Sequence, residues 1–165
     1  MRAEEYQAEV MRALHQCRET IRQQMDAYNR NASRKAVKSL EVRPDPAGAT
    51  LWGVKYFDTM QHGRPAGPVP RDFAKTIYLW SLDKGIELRP MPYRNGKGKY
   101  SPEERARWNF ARAVAHRIEV SGTLLHRRHG YNDIYDTAVQ TAVAEVANTL
   151  LVKATSDIDE IQGLL

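Results

Sequence analysis

At 165 residues and 18.9 kDa the chain is long enough for one domain with a sizeable core. Its composition, 42% hydrophobic and 27% charged, fits a globular protein and excludes a fibrous or fully disordered one. No apolar run is long enough to cross a bilayer, and Cys17, the single cysteine, excludes an intrachain disulfide. The formal net charge of +5 and pI near 9.4 favour an acidic partner, with simple solubility as the other reading.

The first ten residues, MRAEEYQAEV, carry acids and lack the apolar stretch of a secretory signal. From residue 3 to about 30 the apolar residues Tyr6, Val10, Leu14, Cys17, Ile21, Met25 and Tyr28 recur every three or four positions. This spacing predicts one long amphipathic helix. Such a helix either lies across its own domain or lines up against neighbouring subunits. NRNAS, residues 29–33, ends it.

Two β-like runs follow, Ala36–Val42 and Thr50–Phe57, separated by Pro44, Asp45, Pro46 and Gly48. Alternation in the first and β-branched and aromatic residues in the second predict a hairpin. An isolated hairpin is marginal and must pack on helices or pair with another chain.

QHGRPAGPVP, residues 61–70, is dense in Gly and Pro. Gly63, Arg64 and Gly67 match neither a Walker A pattern nor GxGxxG, so a rigid loop is the plainer reading. A helix from about Arg71 to Lys84 comes next, with Phe73, Ile77 and Trp80 as its stripe and Gly85 as its stop. Residues 89–99, RPMPYRNGKGK, hold four basic residues and no acid. Arg94, Lys97 and Lys99, flanked by Tyr93 and Tyr100, suit phosphate contact with a tyrosine stacking on a base. Gly96 and Gly98 suit a flexible solvated loop, and ordering on assembly is a third option.

The strongest local signal is SPEERARWNFARAVAHRIEVSGTLL, residues 101–125. Ser101 at the N-cap, Pro102 at the first helical position and Glu104 at the third form a capping box. Trp108, Ala111, Val114, Ala115 and Ile118 share a face, and Gly122 closes the helix. Arg105, Arg112, His116 and Glu119 fall elsewhere on its surface. In TLLHRRHGY the pair His126 and His129 lacks a third metal ligand, and Arg127 and Arg128 would repel a cation. A basic surface turn is the plainer reading. The last helix begins near Asn132 or Asp133, with Asn132 as a plausible cap. Tyr135, Ala138, Val139, Ala142, Val143, Val146 and Leu150 form its stripe. The segment 154–165 is acidic, with Asp157, Asp159 and Glu160 and no Lys or Arg, and it continues the helix or trails as a docking tail.

The expected fold is a single α+β domain over residues 1–165. It has a long N-terminal helix, a β-hairpin or small antiparallel sheet, and three further helices packed around a central helix at about 102–121. The five histidines, His15, His62, His116, His126 and His129, are scattered, and no nucleophile sits in a recognisable elbow. No enzyme, cofactor, metal site or membrane partner is expected.

The order of elements carries a resemblance. HGRPAGPVPRDFAKTIYLWSLDKGI supplies a GRxxG stretch, prolines and a helix ending in Lys-Gly-Ile; ARWNFARAVAHRIEVSGTLLHR supplies a helix ending in Gly-Thr. Together, from about Leu51 to His126, they resemble the minor tail components of tailed bacteriophages, the neck or tail-completion proteins. The basic 93–100 loop and HRRHG depart from that pattern. The resemblance implies a non-catalytic α+β subunit forming a ring of six or twelve copies between portal and tail. Its implied neighbours are portal or adaptor, tail-tube and other neck proteins. Its implied place is the virion, with host cytoplasm during assembly, and non-specific contact with DNA in the channel is compatible. Gly63, Arg64 and Gly67, then Arg94, Lys97 and Lys99, then Asp157, Asp159 and Glu160 are the interface candidates. The alternative is a basic nucleic-acid-binding accessory protein.

Overall fold

A computed structural model describes residues 3–30, 33–46 and 48–162, with side chains described for 4–30, 33–46 and 48–158. In chain order the elements are α1 (Ala3–Ala27), α2 (Lys35–Lys38), β1 (Glu41–Asp45), β2 (Gly48–Trp52) and α3 (Phe57–His62). Then come α4 (Phe73–Asp83), α5 (Pro102–Ser121), α6 (Leu124–Arg127) and α7 (Asp136–Gln162). The fold is α+β with a small antiparallel sheet. The chain divides into two compact units, residues 1–57 with 132–165, and residues 58–131.

In the first unit α1 packs along α7, and the hairpin lies on α1. Ala13, Cys17, Ile21 and Met25 of α1 are buried, as are Ala138 and Ala142 of α7. The predicted stripe of α1 is thus its core face over the C-terminal half. Tyr6, Val10 and Leu14 at the other end stay half-buried, and Tyr28 lies exposed beyond the helix. The alanines of α7 let the two long helices approach closely. β1 and β2 pair from Glu41 opposite Trp52 to Asp45 opposite Gly48, leaving a two-residue connection. Gln7 Nε2 donates to the carbonyls of Asp45 and Gly48, both at 3.3 Å, and so pins the hairpin tip to α1.

The hairpin boundaries differ from the sequence reading. Residues 35–38 form α2, and β1 starts only at Glu41 and runs through Pro44. Ala36 and Leu40, spaced by one turn, are both buried, which favours a turn of helix over alternation. Ser39 closes that turn by donating to Ala36 O at 2.6 Å and accepts from Val54 N–H at 3.1 Å. β2 ends at Trp52, and Phe57 opens the unexpected α3. Asn132 is buried, and its amide oxygen, turned toward the guanidinium, accepts from Arg30 Nε and Nη2 at 3.1 and 2.7 Å. Asp133 Oδ1 accepts from Thr137 N–H at 3.1 Å, satisfying a free donor in the first turn of α7. α7 then continues through the acidic segment to Gln162.

In the second unit α5 packs on α4. The capping box at Ser101 is complete. Ser101 Oγ accepts from Glu104 N–H at 3.1 Å, and Glu104 Oε2 accepts from Ser101 N–H at 2.9 Å. Such a cap is worth about 1 kcal/mol. Ala106, Ala111 and Ala115 are the buried residues of α5, and Ile77 and Ser81 those of α4. The long helices thus pack as two pairs, α1 with α7 in the first unit and α4 with α5 in the second. Trp80, read as part of the α4 stripe, faces outward and is 40% exposed. Tyr78 instead stacks on Trp108 of α5, with ring centroids 4.6 Å apart. Among the described residues no helix is long and apolar enough to cross a membrane.

Candidate assembly and anion-binding surfaces

The Gly-Arg-x-x-Gly loop and the Gly-Thr pair meet in the second unit. Thr123 N–H donates to Arg64 O at 2.9 Å, and Arg64 N–H donates to Thr123 Oγ1 at 2.8 Å. Gly67 N–H donates to Glu119 O at 2.8 Å, satisfying one of the last carbonyls of α5. The approach requires glycine on both sides. A Cβ on Gly122 would sit 2.6 Å from Arg64 O, and one on Gly63 would sit 2.6 Å from His126 N. Both residues have positive φ, 72° and 77°. Arg64 folds back, its guanidinium donating to Pro68 O and lying 5.4 Å from the Phe73 ring. Gly63, Arg64 and Gly67 therefore form an internal clasp with Thr123, in which Arg64 N–H and O and Gly67 N–H are spent within the chain.

The basic loop is also ordered, but by different means. Arg105, on the first turn of α5, donates through Nη1 to Pro92 O at 2.7 Å and more weakly to Met91 O at 3.4 Å. Met91 N–H donates to Pro102 O at 3.0 Å. The Arg105 guanidinium lies 4.2 Å from the centre of the Tyr93 ring, a cation–π contact. The ring also packs against the backbone at Gly98, where any Cβ would overlap it. Gly96 turns the loop at φ 65°, its N–H donating to Tyr93 O at 3.1 Å. Tyr100 packs on Trp108 at 6.2 Å, joining the loop's end to the stacked aromatics.

This brace leaves a recess of about 460 Å³ lined by Pro92, Tyr93, Arg94, Asn95, Lys97 and Arg105. Three cations line it and no carboxylate does. Arg94 and Lys97 are thus brought together. Lys99 is not, its Nζ lying 5.3 Å from the Tyr100 ring. The residue that sequence reading assigned to the helix surface, Arg105, completes the site; its place one turn inside a capped helix, beside the incoming chain, was the available signal.

Apolar surface is the third feature. In the first unit a groove of about 540 Å³ runs between α1, β2 and α7. Tyr6, Val10, Leu14, Val143, Val146 and Leu150 are among its walls. Val143 is 64% exposed, and Leu151 and Val152 continue along α7 at 66% and 70%. In the second unit α4 buries Ile77 and exposes Leu79, Trp80 and Leu82 on other sides. Both surfaces were missed from the sequence, although α4 is apolar on more than one side and the stripe of α7 is broader than one helix contact needs.

Of the acidic candidates, Asp157 lies exposed on α7; the side chains of Asp159 and Glu160, with residues 163–165, lie outside the described residues. Among the described residues, no three His, Cys, Asp or Glu gather as metal ligands. Burial pushes the Cys17 thiol above its usual range. Comparisons with protein-family models, curated proteins and solved structures give no match for this chain.

Proposed function

We propose that this chain is a structural subunit of a tailed-bacteriophage neck, forming a ring at the head–tail junction as a tail-completion or connector protein. The ordered Gly-Arg-x-x-Gly, Lys-Gly-Ile and Gly-Thr stretches motivate the family. The observation that carries the assembly part is the open apolar surface on both units. A helix apolar on more than one side is normally buried on more than one side, and α4 exposes Leu79 and Leu82. Soluble monomers seldom leave extended apolar patches uncovered. The groove and the α4 ridge belong to different units of one chain. A contact that seats one on the other in a neighbouring copy is heterologous, and heterologous contacts close into rings when the rotation permits.

Light scattering and electron microscopy of the purified protein, alone and with its portal or tail-tube partner, test this reading. Ring-sized particles are expected, and Val143→Glu with Leu82→Glu is expected to leave a folded monomer. A persistent wild-type monomer that binds neither partner overturns it.

A further inference from the structure

The clasp and the basic loop both follow glycine-rich sequence, yet only the basic loop turns its cations outward. We infer that the recess formed by Arg94, Lys97 and Arg105 binds the phosphodiester backbone of double-stranded DNA without reading its sequence.

Three observations lead there. First, the charge is concentrated. Arg89, Arg94, Lys97, Lys99 and Arg105 fall within 17 residues, and the recess itself holds no acid. Glu103 and Glu104 lie in the same stretch at the start of α5, but neither lines the recess, and Glu104 is engaged in the cap at Ser101. Second, the loop is held in shape before any ligand arrives. Arg105 ties down two carbonyls and one face of Tyr93, and Gly98 closes on the same ring. A site whose backbone is already fixed loses less entropy on binding. Third, the aromatic rings are already occupied. Tyr93 packs between Arg105 and Gly98, and Tyr100 packs on Trp108 beside Lys99. Both loop tyrosines thus already have ring or cation partners, which disfavours them as platforms for an unstacked base. Single-strand binders depend on such platforms. What remains is cationic contact with phosphate, which positions a duplex without specifying it.

Two phosphate contacts, Arg94 and Lys97, give a slope near −1.8 in log affinity against log salt, so affinity falls roughly 12-fold between 50 and 200 mM salt. Fluorescence anisotropy with a labelled random-sequence DNA duplex reads this directly. Arg94→Ala with Lys97→Ala is expected to weaken binding on the order of 100-fold at 50 mM salt and to flatten the slope by about 1.8. Lys35→Ala with Lys38→Ala removes the same net charge from exposed α2 and is expected to change affinity less than threefold, roughly what loss of general charge alone brings. Gly98→Ala keeps every charge but displaces the Tyr93 ring; about fivefold weaker binding is expected from the lost preorganisation. Circular dichroism confirms that each variant is folded. Absent binding at 50 mM salt, equal losses in the loop and α2 variants, unchanged affinity in Gly98→Ala, or tighter binding to a single strand of equal length each overturn the inference. So does a preference for vesicles containing phosphatidylserine over the duplex. The inference does not rest on ring formation: a persistent monomer that binds neither portal nor tail-tube partner but binds DNA sinks the neck reading and leaves this one standing.

Discussion

Residues 61–70 and 93–100 look alike as sequence. Both are short, glycine-containing and basic, and both precede a helix. In three dimensions they use their polar groups in opposite ways. The first turns its amides and carbonyls onto Thr123 and Glu119, and even its Arg64 guanidinium is folded onto Pro68 and Phe73. The second fixes its shape through one aromatic ring and one arginine and leaves Arg94 and Lys97 facing out. Glycine serves close backbone approach in the clasp and ring packing in the basic loop. Loop composition alone therefore does not separate a structural joint from a binding surface; the partners of its backbone do.

The largest test of that contrast is Gly122→Val. The backbone at Gly122, φ 72° and ψ 177°, is a region open almost only to glycine, and the new Cβ meets Arg64 O. A loss of about 3 kcal/mol or more in urea-melt stability is expected, against no more than about 1 kcal/mol for Gly98→Ala, where a ring can move. Next is Thr123→Val, which keeps the shape and removes the acceptor for Arg64 N–H. A loss of about 1–2 kcal/mol is expected, with Thr123→Ser restoring most of it. Arg94→Ala with Lys97→Ala should shift stability by less than about 0.5 kcal/mol while weakening DNA binding, separating scaffold from surface. If the clasp variants are neutral and the loop variants unfold the protein, the contrast is reversed.

The smallest expected effect concerns Cys17, in the wall of the groove. Its folded thiol pKa is raised, so the folded state holds its proton more tightly than the unfolded chain. That contribution is complete below the unfolded value of about 8.5 and is lost as pH rises through the folded value. Urea melts at pH 7.5 and 10 should therefore show a decline that Cys17→Ala reduces.

What was legible in the sequence was local. The α5 cap, its proline and its glycine stop all lie within a few residues of one another, and the structure builds each of them. The core face of α1 was equally readable, because Cys17, Ile21 and Met25 share a helix face whatever they pack on. The α2–β1 boundary was not, since Ala36 and Leu40 fit a turn of helix as well as a strand. The clasp was invisible because its halves lie 59 residues apart. The brace of the basic loop was hidden for a related reason: glycines that read as flexibility serve to admit a tyrosine ring, and Arg105 belongs to another element. The apolar surfaces escaped because a hydrophobic stripe says that something must cover it, not which chain supplies the cover.

The clasp has one further consequence. By joining Arg64 to Thr123 it anchors both ends of the intervening chain, and within that chain the basic loop departs from α4 and returns to a firmly capped α5. Extending a loop whose ends are already held costs little, only about 0.6 kcal/mol for each doubling of its length. The loop is thus a place where reach and charge are free to change while the joint stays as it is, so natural variation can retune what this face touches without rebuilding the scaffold that presents it.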